Sequence, residues 1–108
     1  MLRQAKKDGV DVSADTCPQY FSLTEDQILF KGSVAKVDPP LRSISDVGAV
    51  IEGLADGTID AISTDHTPCD NIQKRRSIID APFGMIMLES AFLIGITNLV
   101  EKGHLSIF

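Results

Sequence analysis

The chain has 108 residues, a single domain at most and about two-fifths of the ~250 residues that a (β/α)8 barrel typically takes, so any barrel reading concerns a piece of one. Its 44% hydrophobic and 23% charged residues match ordinary globular usage and are too apolar for a disordered tail. Ten Lys and Arg against fifteen Asp and Glu leave a net charge of −5, which disfavours binding to nucleic acid or to an anionic membrane surface.

In chain order, Leu2 to Asp8 are helix formers and Gly9 sits where a helix C-terminal glycine would. Val10 to Asp15 alternates apolar and polar residues, the period of a strand, and Cys17-Pro18 ends it. Thr24-Glu-Asp-Gln27 has the form of a capping box and predicts a short helix over Glu25 to Leu29. Lys36-Val-Asp-Pro-Pro-Leu-Arg42 is a rigid, extended loop, because each proline removes a donor and restrains the residue before it. Ser43 is a good N-cap with Asp46 in the first turn. Val47, Val50, Ile51 and Leu54 then keep helical spacing, predicting a helix over Ile44 to Ala55 that stops at Gly57.

Ile59 to Thr64 reads as a second short strand ending in Asp65-His66-Thr67-Pro68-Cys69. Asp70 to Asp80 is a polar, basic loop longer than most connections in compact domains. From Phe83, the positions Met85, Leu88, Phe92, Ile96 and Leu99 predict a helix up to Lys102-Gly103, and Leu105 to Phe108 reads as the start of a further element. The Phe83 to Val100 stretch is interrupted by Gly84, Glu89, Ser90, Gly95, Thr97 and Asn98, so a transmembrane span is not expected. Met1 to Gly9 is polar and basic without an apolar core, which favours a cytoplasmic location.

The fold expected is α/β, with two consecutive βα units. Two strands with their helices cannot cover both faces of a parallel sheet. Residues 1–108 are therefore expected to be an incomplete domain, completed by missing barrel segments or by self-association.

Asp65 is the leading candidate for chemistry. Side chains at the C-terminal ends of barrel strands face the catalytic side, where a carboxylate can ligate a metal and shuttle a proton; the alternative is an Asp that caps an Asx turn. His66 could be a ligand or could bond to backbone, and His104 is expected to be structural or inert. Cys17 and Cys69 fit neither a disulfide framework nor a CxxC motif. Free thiols are expected, with a zinc site from Cys17, Cys69 and His66 the alternative. Arg42 could clamp an anionic substrate or lie solvated at a helix start, and Lys74, Arg75 and Arg76 are most simply a solvated loop face.

Four segments, Asp15-Thr-Cys-Pro-Gln-Tyr-Phe-Ser-Leu-Thr-Glu25, Lys36-Val-Asp-Pro-Pro-Leu-Arg-Ser43, Glu52-Gly-Leu-Ala-Asp-Gly-Thr-Ile-Asp-Ala-Ile-Ser-Thr-Asp-His66 and Asp80-Ala-Pro-Phe-Gly84, resemble the dihydroorotases of the amidohydrolase superfamily in order and spacing. The resemblance implies the C-terminal part of a partial (β/α)8 TIM barrel, from the helix before strand seven through the helix after strand eight. It also implies a zinc-dependent hydrolase, with one or two ions in the intact enzyme. Such an enzyme interconverts N-carbamoyl-aspartate and dihydroorotate, a small cyclic amide, in pyrimidine biosynthesis. Asp65 matches the aspartate that binds the metal and acts as general base, while Pro82 and Gly84 match a segment offering backbone contacts to the bound ring.

Three positions depart from that pattern. Asp38 stands where dihydroorotases usually have Asn, replacing a neutral group with a carboxylate that repels an anionic substrate. Cys69 stands in place of a substrate-contacting His, as in allantoinases, and Gln19 is more like hydantoinases. A hydantoinase- or allantoinase-like activity is therefore the alternative within the class. A non-catalytic, degenerate module that assembles with a partner is the alternative outside it. The other metal ligands of the family have no counterpart in this chain, so the chain alone is expected to be inactive.

Overall fold

In a computed structural model that describes residues 1–107, helix α1 (Leu2–Lys7) leads to strand β1 (Asp15–Thr16) and α2 (Pro18–Ser22). Next come α3 (Gln27–Lys31), a 3-10 turn (Gly32–Ala35), α4 (Ile44–Ala55), β2 (Ala61–Ile62) and α5 (Asn71–Lys74). Helix α6 (Ala91–Gly95) continues into a π turn (Ile96–Val100). The two strands pair in parallel, Asp15 opposite Ala61 and Thr16 opposite Ile62. The order is thus the two βα units expected. Phe108, the last residue of the predicted further element, lies outside the described residues.

Both strands are shorter than their sequence patterns. Extended backbone counts as strand only where a neighbour accepts its ladder, and among the described residues each strand has only the other. The approach to the pair is stitched by Asp60. Its N–H donates to the Ala14 carbonyl at 2.8 Å, and its carboxylate accepts from the Ala14 N–H at 2.9 Å and from the Lys6 ammonium at 2.6 Å. Arg3 donates to Asp56 at 2.7 Å and to Glu52 at 3.3 Å, which ties α1 to the end of α4. The Lys6 ammonium and the Ala14 amide hold the Asp60 carboxyl below its usual range.

Helix α4 forms as the pattern predicts. Ser43 Oγ accepts from the Asp46 N–H at 3.3 Å and Asp46 accepts from the Ser43 N–H at 3.2 Å, a reciprocal capping box. Val47 is buried and Val50, Ile51 and Leu54 are half-buried. Gly53 is buried because Ile59 packs onto it, leaving 3.1 Å for an added methyl. Helix α2 packs against both α4 and α6, and its Phe21 is 2% exposed. A second small core of Ala35, Val37 and Leu41 lies beneath Tyr20, Leu23, Ile28 and Met85.

Four expectations are corrected. The predicted helix over Glu25 to Leu29 runs instead over Gln27–Lys31 with Asp26 at its N-cap, and Thr24 contributes its carbonyl rather than its hydroxyl. Pro18–Ser22 is helical where only a strand end was expected, since proline suits the first helical turn. The polar loop after Asp70 contains α5, whose N-terminal amides Ile72 and Gln73 donate to the Asp70 carboxylate. The helix expected from Phe83 begins only at Ala91. Gly84 has φ +129°, outside helical space, and the Met87 and Leu88 amides are drawn to His66.

No helix among the described residues is long and apolar enough to cross a membrane. Many large apolar side chains are exposed, including Leu29, Phe30, Ile79, Phe92 and Leu93. The Ser43→Ala variant, which removes the cap of the longest helix, is expected to lose about 1 kcal/mol; a lowered thermal midpoint followed by circular dichroism would show it.

Candidate active site

The parallel register carries both strands to one end, where their continuations hold the polar cluster. Cys17, just after β1, is buried and shares a hydrogen bond of 3.2 Å with Ser63, just after β2. Burial pushes the Cys17 thiol up, the Ser63 bond opposes this, and the Asp65 and Asp15 carboxylates add to the rise. Tyr20 is also raised, first by burial and in smaller part by charges that include Asp65.

The Asp65 charge thus acts on both the Cys17 and the Tyr20 side chains. These two residues line a cavity of about 560 Å³ together with Asp15, Thr16, Pro39, Pro40, Arg42, Asp46, Val47 and Val50. Asp65 itself is exposed and has φ +44°, a left-handed conformation that turns the chain sharply at the strand end. Its carbonyl accepts from the Thr67 hydroxyl at 3.2 Å, while no hydrogen bond to its carboxylate is found among the described residues. An Asx-turn cap is therefore not what Asp65 supplies, and the carboxylate is left available for other work.

His66 bonds to backbone. Its Nδ1 accepts from the Met87 and Leu88 N–H groups, each at 3.1 Å, so a neutral ring carries its proton on Nε2. The same stretch pairs with Met85, and the Thr67 N–H donates to the Met85 carbonyl at 3.0 Å.

The substrate candidates divide between two places. Arg42 lines the larger cavity, exposed, with its Nε 3.9 Å from Asp46. Asp38 is exposed, ahead of a cis peptide to Pro39, whose carbonyl accepts from the Tyr20 hydroxyl at 2.8 Å. Cys69 and Gly84 line a second cavity of about 230 Å³ with Val34, Thr67, Asn71, Lys74, Met85 and Ile86. The Cys69 thiol donates to the Phe83 carbonyl at 3.4 Å, and the Pro82 carbonyl accepts from Lys74 at 2.9 Å. His104 is exposed in the turn after the π segment.

Two sequence readings fail here. Cys17, Cys69 and His66 do not converge: the thiols face different cavities, the His66 Nδ1 is occupied, and no group of three His, Cys, Asp or Glu among the described residues could hold a metal. Asp65 alone is one donor, and a catalytic zinc takes three or more protein ligands, so this donor set does not make a zinc site by itself. Lys74 is not part of a solvated face either. It is 7% exposed and its ammonium donates to the Lys36 carbonyl at 2.6 Å as well as to Pro82. Charge-run reasoning missed it because Arg75 and Arg76 beside it are exposed. The available signal was Asp70, a good N-cap four residues before it, which starts a helical turn that carries Lys74 inward.

No family model matches the chain. Among solved structures, the dihydropyrimidinase of Brevibacillus agri superposes with a TM-score of 0.90 at 26% identity, over 98% of this chain and 24% of its own. The L-hydantoinase of Arthrobacter aurescens superposes with a TM-score of 0.88 at 33% identity, again over 98% of this chain and 24% of its own. The fold is thus a small α/β unit like a quarter of these dihydropyrimidinase and hydantoinase chains, whose fold is the amidohydrolase barrel.

Sequence relatives narrow this further. The chain is 50% identical over 107 residues to the dihydroorotase of Lactococcus lactis and 51% identical over 106 residues to that of Clostridioides difficile. It is homologous to dihydroorotases over nearly its whole length, and it spans about a quarter of the length of these relatives.

Gly84 gives the site its most confined backbone. A methyl added there would sit 2.6 Å from the Thr67 carbonyl oxygen and 2.7 Å from the Thr67 Cγ2, at a φ that L-residues avoid. The Gly84→Ala variant is expected to lose about 2–4 kcal/mol, measured by denaturant titration. A loss below 1 kcal/mol would show that the Thr67 to Gly84 contact is loose.

Proposed function

We propose that this chain is the strand-seven and strand-eight segment of a zinc-dependent cyclic amide hydrolase of the dihydroorotase kind. The observation that carries the reading is the Asp65 carboxylate, just past β2 and without a hydrogen bond among the described residues, whose charge acts on Cys17 and Tyr20, two residues that line a cavity with Arg42. The homology to dihydroorotases over nearly the whole chain supports it.

Asp65 acts as the general base. It receives a proton from the attacking water and returns it to the ring nitrogen as the amide bond opens, which requires a carboxylate free of competing donors. Asp65 also contributes one metal ligand, and the remaining ligands come from outside this chain. The metal supplies Lewis acidity at the amide carbonyl when it is bound. Arg42 meets the substrate's anionic group, and the Pro82 to Gly84 backbone contacts the ring. Asp38 and Cys69 bound the substrate and tune which ring is accepted.

A second reading within the class rests on Asp38 and Cys69. An exposed carboxylate and a thiol turned to a backbone carbonyl are poor partners for a carboxylated ring, and a solved L-hydantoinase is 33% identical. The substrate is then an uncharged hydantoin or allantoin.

The test is a chimera in which this chain replaces the matching quarter of the Lactococcus lactis dihydroorotase. Interconversion of dihydroorotate and carbamoyl aspartate is expected, with Asp65→Asn lowering kcat by roughly 10²–10⁴-fold at unchanged fold. Ring opening of hydantoin or allantoin alone would favour the second reading. A folded, zinc-loaded chimera inactive on every ring would sink both and leave a non-catalytic module. For the isolated chain, native mass spectrometry after incubation with zinc is expected to show no stoichiometric metal. A defined oligomer with one zinc per chain would mean that copies of the chain complete the site for one another.

A further inference from the structure

Lys36 and Lys74 are two ammonium groups held without a carboxylate. Among the described residues neither forms an ion pair. The Lys74 ammonium donates to the Lys36 carbonyl at 2.6 Å and to the Pro82 carbonyl at 2.9 Å. The Lys36 ammonium donates to the Ile79 carbonyl at 3.0 Å and the Ala81 carbonyl at 2.8 Å, and lies 4.4 Å from the centre of the Phe83 ring. The Lys36 carbonyl takes a second bond, from the Gly84 N–H at 3.2 Å. One lysine thus grips the carbonyl of the other, and both grip the run from Ile79 to Gly84.

Three segments meet at this clasp. Lys36 begins the proline loop that carries Asp38 and Arg42, Lys74 ends the segment that carries Cys69, and Ile79 to Gly84 carries the backbone proposed to touch the ring. A charge nine-tenths buried is tolerated only if its donors are satisfied, so the carbonyls are held where the ammonium needs them. Burial lowers the Lys74 pKa, the Cys69 thiol opposes this, and the nearby charge of Lys36 adds to the lowering. Among the described residues no hydrogen bond joins the Asp65 side chain to either lysine or to the run from Ile79 to Gly84.

We propose that Lys74, acting with Lys36, is a positioning residue that sets the spacing between the Asp38 to Arg42 loop and the Pro82 to Gly84 backbone, and so governs substrate binding rather than the proton-transfer step. This rests on the reading given under Proposed function. The clasp bonds the loops proposed to recognise the substrate directly, whereas the Asp65 carboxylate takes no bond from it.

The test is Lys74→Met, close in volume but without charge or donors, in the dihydroorotase chimera. The expected result is a rise in KM of about tenfold, with kcat within about threefold and metal content unchanged, because a loop displaced by a fraction of an ångström loses orientation before chemistry. Hydrogen exchange at the Gly84 amide is expected to quicken at least tenfold in the same variant. A folded Lys74→Met protein with unchanged KM, or one that loses kcat at constant KM, overturns the proposal. If that variant does not fold, Lys36→Met takes its place with a smaller KM rise expected, and failure of both to fold overturns the proposal in favour of a purely structural role. If the unsubstituted chimera is inactive, it is the functional reading that fails. Gly84 exchange then decides the clasp separately, and an unchanged rate overturns it.

Discussion

A parallel register only two residues long organises this molecule. Setting Asp15 against Ala61 and Thr16 against Ile62 brings Cys17 to Ser63, and the stretch after β2 carries the Asp65 charge that acts on Cys17 and Tyr20. A slip by one residue would turn each side chain to the opposite face and part Cys17 from Ser63. So short a ladder has little strength of its own. Asp60 reinforces it from both sides by bonding the Ala14 main chain and the Lys6 ammonium together.

What could be read in the sequence follows the range of the forces involved. Helix α4 was legible to the residue, because Ser43, Asp46 and an apolar stripe at helical spacing are local signals that agree. The late start of α6 was not. Phe83, Met85 and Leu88 keep helical spacing, yet Gly84 has a φ of +129° and lies close against Thr67, and the amides of Met87 and Leu88 are taken by an imidazole twenty-odd residues earlier. The place of Asp65 just past β2 was legible, because a short strand pattern precedes it. Its freedom from an Asx turn was not, since that depends on a left-handed angle no neighbour dictates. Lys74 was hidden by its company in a basic run, and only the distant carbonyls of Lys36 and Pro82 reveal its role.

The chain also shows where its own interactions stop. Phe30, Ile79, Phe92 and Leu93 present large apolar surfaces to solvent, and the buried Gln19 Oε1 has no hydrogen-bond partner among the described residues. An orphaned amide oxygen costs about 1–3 kcal/mol, and such apolar exposure exceeds scattered surface residues. Both features accord with a chain that spans about a quarter of the length of its dihydroorotase relatives.

The two kinds of fastening differ in what undoes them. Asp60 and Asp46, which stitch α1 to the strand pair and cap α4, have pKa values lowered in the fold, Asp60 chiefly by Lys6 and Asp46 chiefly by the Ser43 hydroxyl. Their contribution is complete above the unfolded carboxyl range and is lost as pH falls through the lowered values. An ammonium on a carbonyl keeps its proton throughout that range. Acid therefore weakens the tie at the end of α1 and the cap of α4, whereas the bonds from Lys36 and Lys74 to main-chain carbonyls hold no carboxylate to protonate.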